Sequence, residues 1–567
     1  MYRKRSVHSD HDGREVEALL KRFTSAWDPT AIRGKGPDIL KRAGVRTVIL
    51  ALVAFFVMAA FAAADPTGSN YGGINAVTAA TAGAPTLAEI GADAGTTKTA
   101  LNFFFLIMGV GLIFFMQAGF MLVETGFCRG KHAAHVAMTN FVIFAVGALA
   151  YWAFGFAIQY GSLGAFFWAP GAEGLLTGEA LKLGSNAFAG TKGFFLGSLG
   201  DGTYDPGVFT FFLFQMVFMD TAATIVTGGM AERWKFSAFL PFGVFMAAIV
   251  YPLFGMWIWG GGWLATLGAN YGFGNGAVDF AGSSVVHAVG GFAALAGAIV
   301  LGPRIGKFKA DGTPVALPGH NVPMAILGTI ILVFGWFGFN GMSTLAATDL
   351  RFPIIIGNTI LAGSAGCLAA MFLVWKLWGK PDPSMAVNGM LAGLVAITAP
   401  CAFVTPWASI VIGTIGGLLV VGSVVFVERV MKVDDPVGAV SVHGVNGAWG
   451  MIALGLFADG SYGGGWNGVE GAVTGLFYGN SGQLLAQGIA VITVFVWSFG
   501  MHYVFFRVQD AVQGIRSSAE DEIAGLDPTE MGVLAYPDMV GSGPLGEGSL
   551  GEAPVGVGSP RPVGSEA

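Results

Sequence analysis

Eleven stretches of this chain are apolar over about the length of a bilayer-crossing helix, and no other feature constrains its fold as strongly. Such a helix needs about 20 predominantly apolar residues. The stretches fall at roughly 101–126, 134–160, 208–230, 236–264, 281–302, 322–343, 353–377, 386–404, 408–428, 438–457 and 483–506. Composition agrees: 54% of the 567 residues are hydrophobic and 11% are charged, against about 25% charged in a soluble domain. Mean hydropathy is +0.66. These figures exclude an ordinary soluble enzyme, a disordered chain and a nucleic-acid binder. The sequence predicts an all-α polytopic membrane protein. The three cysteines, Cys128, Cys367 and Cys401, lie in or beside apolar runs, so neither a disulfide framework nor a metal site is read from them. No cofactor is implied.

The basic residues test the count. With the first span starting outside, thirteen lysines and arginines, from Arg129 to Arg516, fall in the inner connections. Four fall outside: Lys98, Lys182, Lys192 and Arg351. This positive-inside bias predicts eleven helices with the N-terminus of the core outside and the C-terminus in the cytoplasm. Residues 1–64 form a basic extension, an apolar run from Thr47 to Ala60 and a small-residue stretch ending at Ala64. They read as a secretory signal peptide with a long n-region, or alternatively as a short retained helix. Residues 65–99 read as an outer linker, 100–506 as the transmembrane domain and 507–538 as a charged, helix-capable tail. Residues 539–567 form a Gly/Pro-rich end. The 161–207 connection is long and rich in Gly and Phe, with no role legible.

Titratable side chains at membrane depth are costly and mark pathways. Of eight histidines, only His287 and His443 sit inside apolar helical stretches with no helix end nearby. Their surroundings match: Asp279, seven residues, His287; and Asp435, seven residues, His443, each histidine preceded by valine. They fall in the fifth and tenth spans. Since five is odd, spans 1–5 and 6–10 run in opposite directions, the arrangement of an inverted repeat with its site at the interface between the halves. Two unrelated interhelical histidines are the alternative. Trp259, Phe218 and the run Gly335 to Ser343, which includes Phe339, fall toward the outer ends of their spans. Aromatic faces with one hydroxyl suit a small cation; an interfacial aromatic belt is the other reading. Asp220 is an ionisable group at depth, read as a buried interhelical partner or as a group tuning the pore.

At these residues the sequence resembles the ammonium transporter family (Amt/MEP/Rh), in its Amt branch, over about residues 100–538. The most specific piece is Asp279-Phe-Ala-Gly-Ser-Ser-Val-Val-His287, running on to Gly302-Pro-Arg304. Gln117 to Phe127, Ala231-Glu-Arg233, Gly335 to Asn340, Asp434-Asp-Pro436 and Val442-His-Gly444 add to it. The resemblance implies eleven helices, a 5+5 inverted repeat plus a C-terminal helix, and one pore per subunit of a plasma-membrane homotrimer. It implies that Trp259, Phe218 and Ser343 recruit ammonium at an outer site, and that Phe218 and Phe339 stack to occlude the pore. His287 and His443 would line the conduction path, and Asp279 would support the outer site by capping the fifth helix. Residues 514–527 resemble a cytoplasmic regulatory tail on which, in bacterial relatives, a P-II signalling protein docks. Met531 stands where that tail often has a histidine. The alternative within the family is an ammonium sensor signalling through this tail; the full set of pore residues favours conduction. An enzyme is disfavoured, since no nucleophile–base pair is placed at depth.

Overall fold

The computed structural model describes residues 87–163, 179–196, 206–463 and 465–537. The expectations for residues 1–64 and 539–567, and for most of the 65–99 linker, fall outside the described residues. The described chain is an all-α polytopic membrane protein. Its principal helices are α1 (Leu87–Phe127), α2 (Gly130–Tyr160), α3 (Pro206–Met230), α4 (Phe236–Ile258), α5 (Ser283–Leu301) and α6 (Val322–Thr344). They continue with α7 (Phe352–Trp378), α8 (Pro383–Thr398), α9 (Pro406–Arg429), α10 (Val440–Phe457) and α11 (Ser481–Gln513). Among the described residues, ten helices are long and apolar enough to cross a membrane.

Two elements differ from expectation. Helix α1 begins at Leu87, inside the stretch read as linker, because an Ala/Gly/Thr-rich sequence without proline continues a helix that hydropathy does not register. Helix α8 has only 16 residues, about 24 Å at 1.5 Å per residue, and stops before the expected 404. Its last carbonyls, on Thr398 and Ala399, accept from the backbone N–H groups of Ala281 and Phe280. Non-helical backbone at that depth is tolerated because its hydrogen bonds are made within the protein.

Small residues set the helix spacing. A Cβ on Gly291 of α5 would lie 2.0 Å from the backbone nitrogen of Gly444 in α10. The two helices therefore cross backbone against backbone, as small residues permit in membrane bundles. Helix α11 lies along the outside of this crossing. Ser498 Oγ donates to Val289 O at 2.6 Å, and Trp497 Nε1 donates to Val250 O of α4 at 3.0 Å.

The two ends of the bundle differ. At one, here the ribbon face, a two-stranded antiparallel ribbon, β1 (Leu181–Leu183) and β2 (Asn186–Ala189), lies over the end of α4. Ala187 O accepts from Trp263 N, and Phe188 O accepts from Trp257 Nε1, each at 3.0 Å. At the other, the tail face, the chain after α11 folds back across the loops. Ser517 N donates to Arg233 O at 3.0 Å. Glu522 accepts from Ile305 N at 2.6 Å and from Arg516 Nη2 at 2.7 Å. Asp527 accepts from the backbone nitrogens of Ala134 and His135 at the start of α2, and Glu530 accepts from Phe236 N at the start of α4. Carboxylates at helix starts satisfy orphan donors and complement the helix dipole. The tail docks with Met531 in place.

Beneath the tail lies a buried ion network. Arg304, just after α5, grips Asp434 through Nε at 2.9 Å and Nη2 at 3.0 Å, and Glu232 through Nη1 at 2.8 Å. Arg233 Nη2 donates to Asp434 O at 2.7 Å. Burial pushes the Asp434 carboxyl up, but Arg233 and Arg304 more than offset this and hold it well below the usual carboxylate range. Glu232 is likewise raised by burial and held net below its ordinary value by Arg304, His132 and Arg129.

Candidate functional site

The site is built around two helix starts. The Asp279 carboxylate accepts from the backbone N–H groups of Gly282, Ser283, Ser284 and Val285, and from Ser284 Oγ, at 2.7 to 3.0 Å. It thereby fixes the first turn of α5 inside the protein. The Asp435 carboxylate does the same for α10, accepting from Gly438, Ala439 and Val440 at 2.8 to 3.1 Å. Each aspartate is followed three residues later by a glycine at positive φ, Gly282 at 117° and Gly438 at 83°, a backbone shape that side chains resist. Both helices then open with a π turn, Ser283–Ala288 and Val440–Val445, and each turn carries its histidine. Phe339 also sits on a π turn, Phe337–Gly341 of α6. Such turns re-aim side chains and recur at functional sites.

On the ribbon face lies a cavity of about 230 Å³, lined by Phe214, Gln215, Phe218, Trp259, Ser343, Trp466 and Asn467 among others. Trp259 Nε1 donates to Asp279 O at 2.6 Å, which ties the end of α4 to the cap of α5. Ser343 Oγ donates to Phe339 O at 2.6 Å, so its hydrogen is used and its lone pairs remain for a donor. The Phe218 ring meets Trp259 edge-on at 5.9 Å and stacks on Phe339 at 4.2 Å and 30°. Both rings are fully buried; Phe218 lines the cavity and Phe339 lies behind it, against His287.

Behind the rings stand the histidines. His287 lies 5.6 Å from the Phe339 ring and 5.3 Å from the His443 ring, tilted 20° from the latter. The two Nδ1 atoms are 3.2 Å apart, within hydrogen-bonding distance. His287 is fully buried and His443 is 5% exposed. The exposure of His443 opens into a second cavity of about 20 Å³ toward the tail face, which also reaches Phe120, Glu124, Asn388 and Val442. The order along the path is thus cavity, ring pair, histidine pair, small cavity.

All seven residues singled out from sequence stand along this path: Trp259, Phe218, Ser343, Phe339, His287, His443 and Asp279. Asp220, read either as a buried interhelical partner or as a group tuning the pore, is buried, and its Oδ1 has no hydrogen-bond partner among the described residues. It sits one turn from Thr224 on α3, whose hydroxyl is already committed to Asn140 and Gln117. Four neighbours have a place at the site that the sequence reading did not assign. Asp435 is the second cap, and the repeated aspartate-to-histidine spacing was the signal for it. Trp336 stacks on His287 at 5.1 Å and 17°, three residues before Phe339. Phe120 lies 5.9 Å from His443. Trp466 enters the cavity from a loop, for which no local pattern gives warning.

Helices α5 and α10 cross at a buried histidine pair set behind stacked aromatic rings, within a polytopic all-α membrane protein. A family profile described as Ammonium Transporter Family matches residues 104–536, and the chain belongs to that family. Ammonium transporter Amt2 of Archaeoglobus fulgidus is 46% identical over 464 residues, 80% of this chain and 93% of that one. A solved structure described as Sensor Amt Protein is 35% identical, with a TM-score of 0.66 over 77% of this chain and 99% of that one. The crystal structure of Candida albicans Mep2 is 26% identical, with a TM-score of 0.62 over 74% of this chain and 87% of that one.

Proposed function

We propose that this protein conducts ammonium nitrogen across the plasma membrane: ammonium is recruited in the ribbon-face cavity, loses a proton, and passes as ammonia along the two histidines. The observation that carries the reading is the in-line order of an aromatic cavity in which Ser343 Oγ and Gln215 Oε1 are free to accept, a stacked ring pair and a hydrogen-bonded histidine pair.

The energetics favour this division of labour. Ammonium and potassium are similar in size, so size does not select between them, but ammonium donates directional hydrogen bonds and can give up a proton. Moving an intact ion into a dry interior costs on the order of 20 kcal/mol in the idealised limit and several in practice. Deprotonating an amine-like ion two to three pKa units below its pKa costs about 3–4 kcal/mol, at about 1.36 per unit. A dry pore therefore passes the neutral species and stops potassium. Trp259 and Phe218 present π faces to the cation, Ser343 accepts a hydrogen bond, and Phe218 with Phe339 exclude water. The imidazoles offer an acceptor to ammonia and a route for the proton, so net transport is electrogenic.

The excess of lysine and arginine on tail-face connections supports a cytoplasmic tail face and an extracellular ribbon face. Family resemblance supports a homotrimer and a P-II signalling protein docking on the tail face. A second reading, an ammonium sensor, is favoured by the likeness to the solved sensor Amt protein.

The test is current after an ammonium pulse on proteoliposomes, comparing wild type, Trp259→Ala and His287→Ala with potassium as control. An ammonium-specific current that the substitutions weaken or make unselective supports the proposal. Internal alkalinisation without current replaces it with ammonia-gas conduction. Binding without either signal replaces it with the sensor.

A further inference from the structure

We propose that Glu124 of α1 is the proton acceptor on the cytoplasmic side of the histidine pair. This inference rests on the electrogenic reading above. Glu124 is 2% exposed in the membrane-spanning part of α1, where a carboxyl group is costly and needs a reason. Among the described residues it has no ion-pair partner. Its Oε2 accepts from Asn140 Nδ2 of α2 and from Thr227 Oγ1 of α3, each at 2.7 Å. Asn140 Oδ1 in turn accepts from Thr224 Oγ1 at 2.9 Å. The carboxyl is thus held rigidly by neutral donors, which orient it without neutralising it.

What it faces gives it a task. Glu124 and His443 are the two titratable groups lining the cavity of about 20 Å³, with Asn388 as its other polar side chain. That volume holds about one water, and three polar partners are enough to keep it. His443 Nδ1 is turned to His287, which leaves Nε2 as the nitrogen free to serve the cavity. The step is then simple. A proton arriving on the pair makes His443 an imidazolium. Its Nε2–H bond breaks as the proton passes to the water, while the water's own proton forms an O–H bond on the Glu124 carboxylate. The histidine is left neutral, the water is regenerated, and the carboxylic acid releases its proton to cytoplasmic water. No further reactant is needed. Ammonia leaves by diffusion, so cation and neutral species part company at this cavity.

The experiment records ammonium-evoked current and its pH profile on proteoliposomes for wild type, Glu124→Gln and Glu124→Asp, with unfolding midpoints for each. The glutamine keeps an oxygen for Asn140 and Thr227 but takes up no proton. The expected result is a loss of at least roughly tenfold in current for Glu124→Gln, with partial recovery and a displaced pH profile in Glu124→Asp. A Glu124→Gln current within twofold of wild type would overturn the proposal and leave the transport reading intact. An aspartate variant as inactive as the glutamine one would make the side chain a structural brace, and would also overturn it. Absence of ammonium current in wild type would sink the electrogenic reading and this inference with it. Should Glu124→Gln not fold, Asn388→Leu, which displaces the cavity water, must slow the current comparably; an unchanged current would overturn the proposal.

Discussion

The two halves of this protein carry the same local device in unequal settings. Asp279 and Asp435 each cap a helix, each is followed by a positive-φ glycine and a π turn, and each precedes its histidine by eight positions. Yet Asp279 is 1% exposed and collects five donors, whereas Asp435 is half-buried and collects three. The first cap also holds Trp259 in the cavity through its carbonyl. The second is preceded by Asp434, which joins the ion network under the tail. One motif, inverted by the odd helix count, thus serves an aromatic cavity at one end and a charged platform at the other.

The largest effect should come from cutting what joins the halves. Arg304→Ala leaves Asp434 and Glu232 buried without their main partner, and should destabilise by about 3–5 kcal/mol, read as a lowered unfolding midpoint in detergent. Acidification should act with the same sign. Both carboxyls are depressed in the folded state, so their contribution is present above the unfolded carboxyl range near pH 4. It is lost as pH falls through their folded values.

Next come the caps themselves. Asp279→Ala should cost about 3 kcal/mol or more, since several buried donors lose their acceptor. Asp435→Ala should cost about 1–2 kcal/mol, the range of an ordinary cap. Equal losses would break the asymmetry argued here. Gly291→Ala forces α5 and α10 apart at their crossing and should cost about 1–3 kcal/mol, with loss of ammonium current because the histidines separate. The smallest effect should be Ser343→Ala, which removes one acceptor from the cavity. It should weaken apparent ammonium affinity roughly fivefold, about 1 kcal/mol, without moving the unfolding midpoint.

Much of the fold was legible because hydropathy is a local property: the apolar runs fall within a few residues of most helices. At α8, burial in protein imitated burial in lipid. Residues 399–404 are apolar because they sit inside the bundle, so they lengthened α8 on paper. The site was legible as a set of residues but not as a contact. Counted along their apolar runs, His287 and His443 lie in different thirds of the bilayer. They meet because α5 and α10 start deep in the protein, on aspartate caps, so distance from the edge of an apolar run is not depth. Glu124 was quoted only as part of a motif; a carboxylate within the first span was the available sign.

The 3.2 Å between the two Nδ1 atoms has room for one hydrogen. One ring donates there and the other accepts, so the remaining nitrogens have opposite character: a bare lone pair on one ring, an N–H on the other. Handing a proton along the pair swaps the two tautomers and points the arrangement the other way. The pair therefore keeps a memory of the last passage. On the electrogenic transport proposed above, a second proton in the same direction waits until the rings are reset.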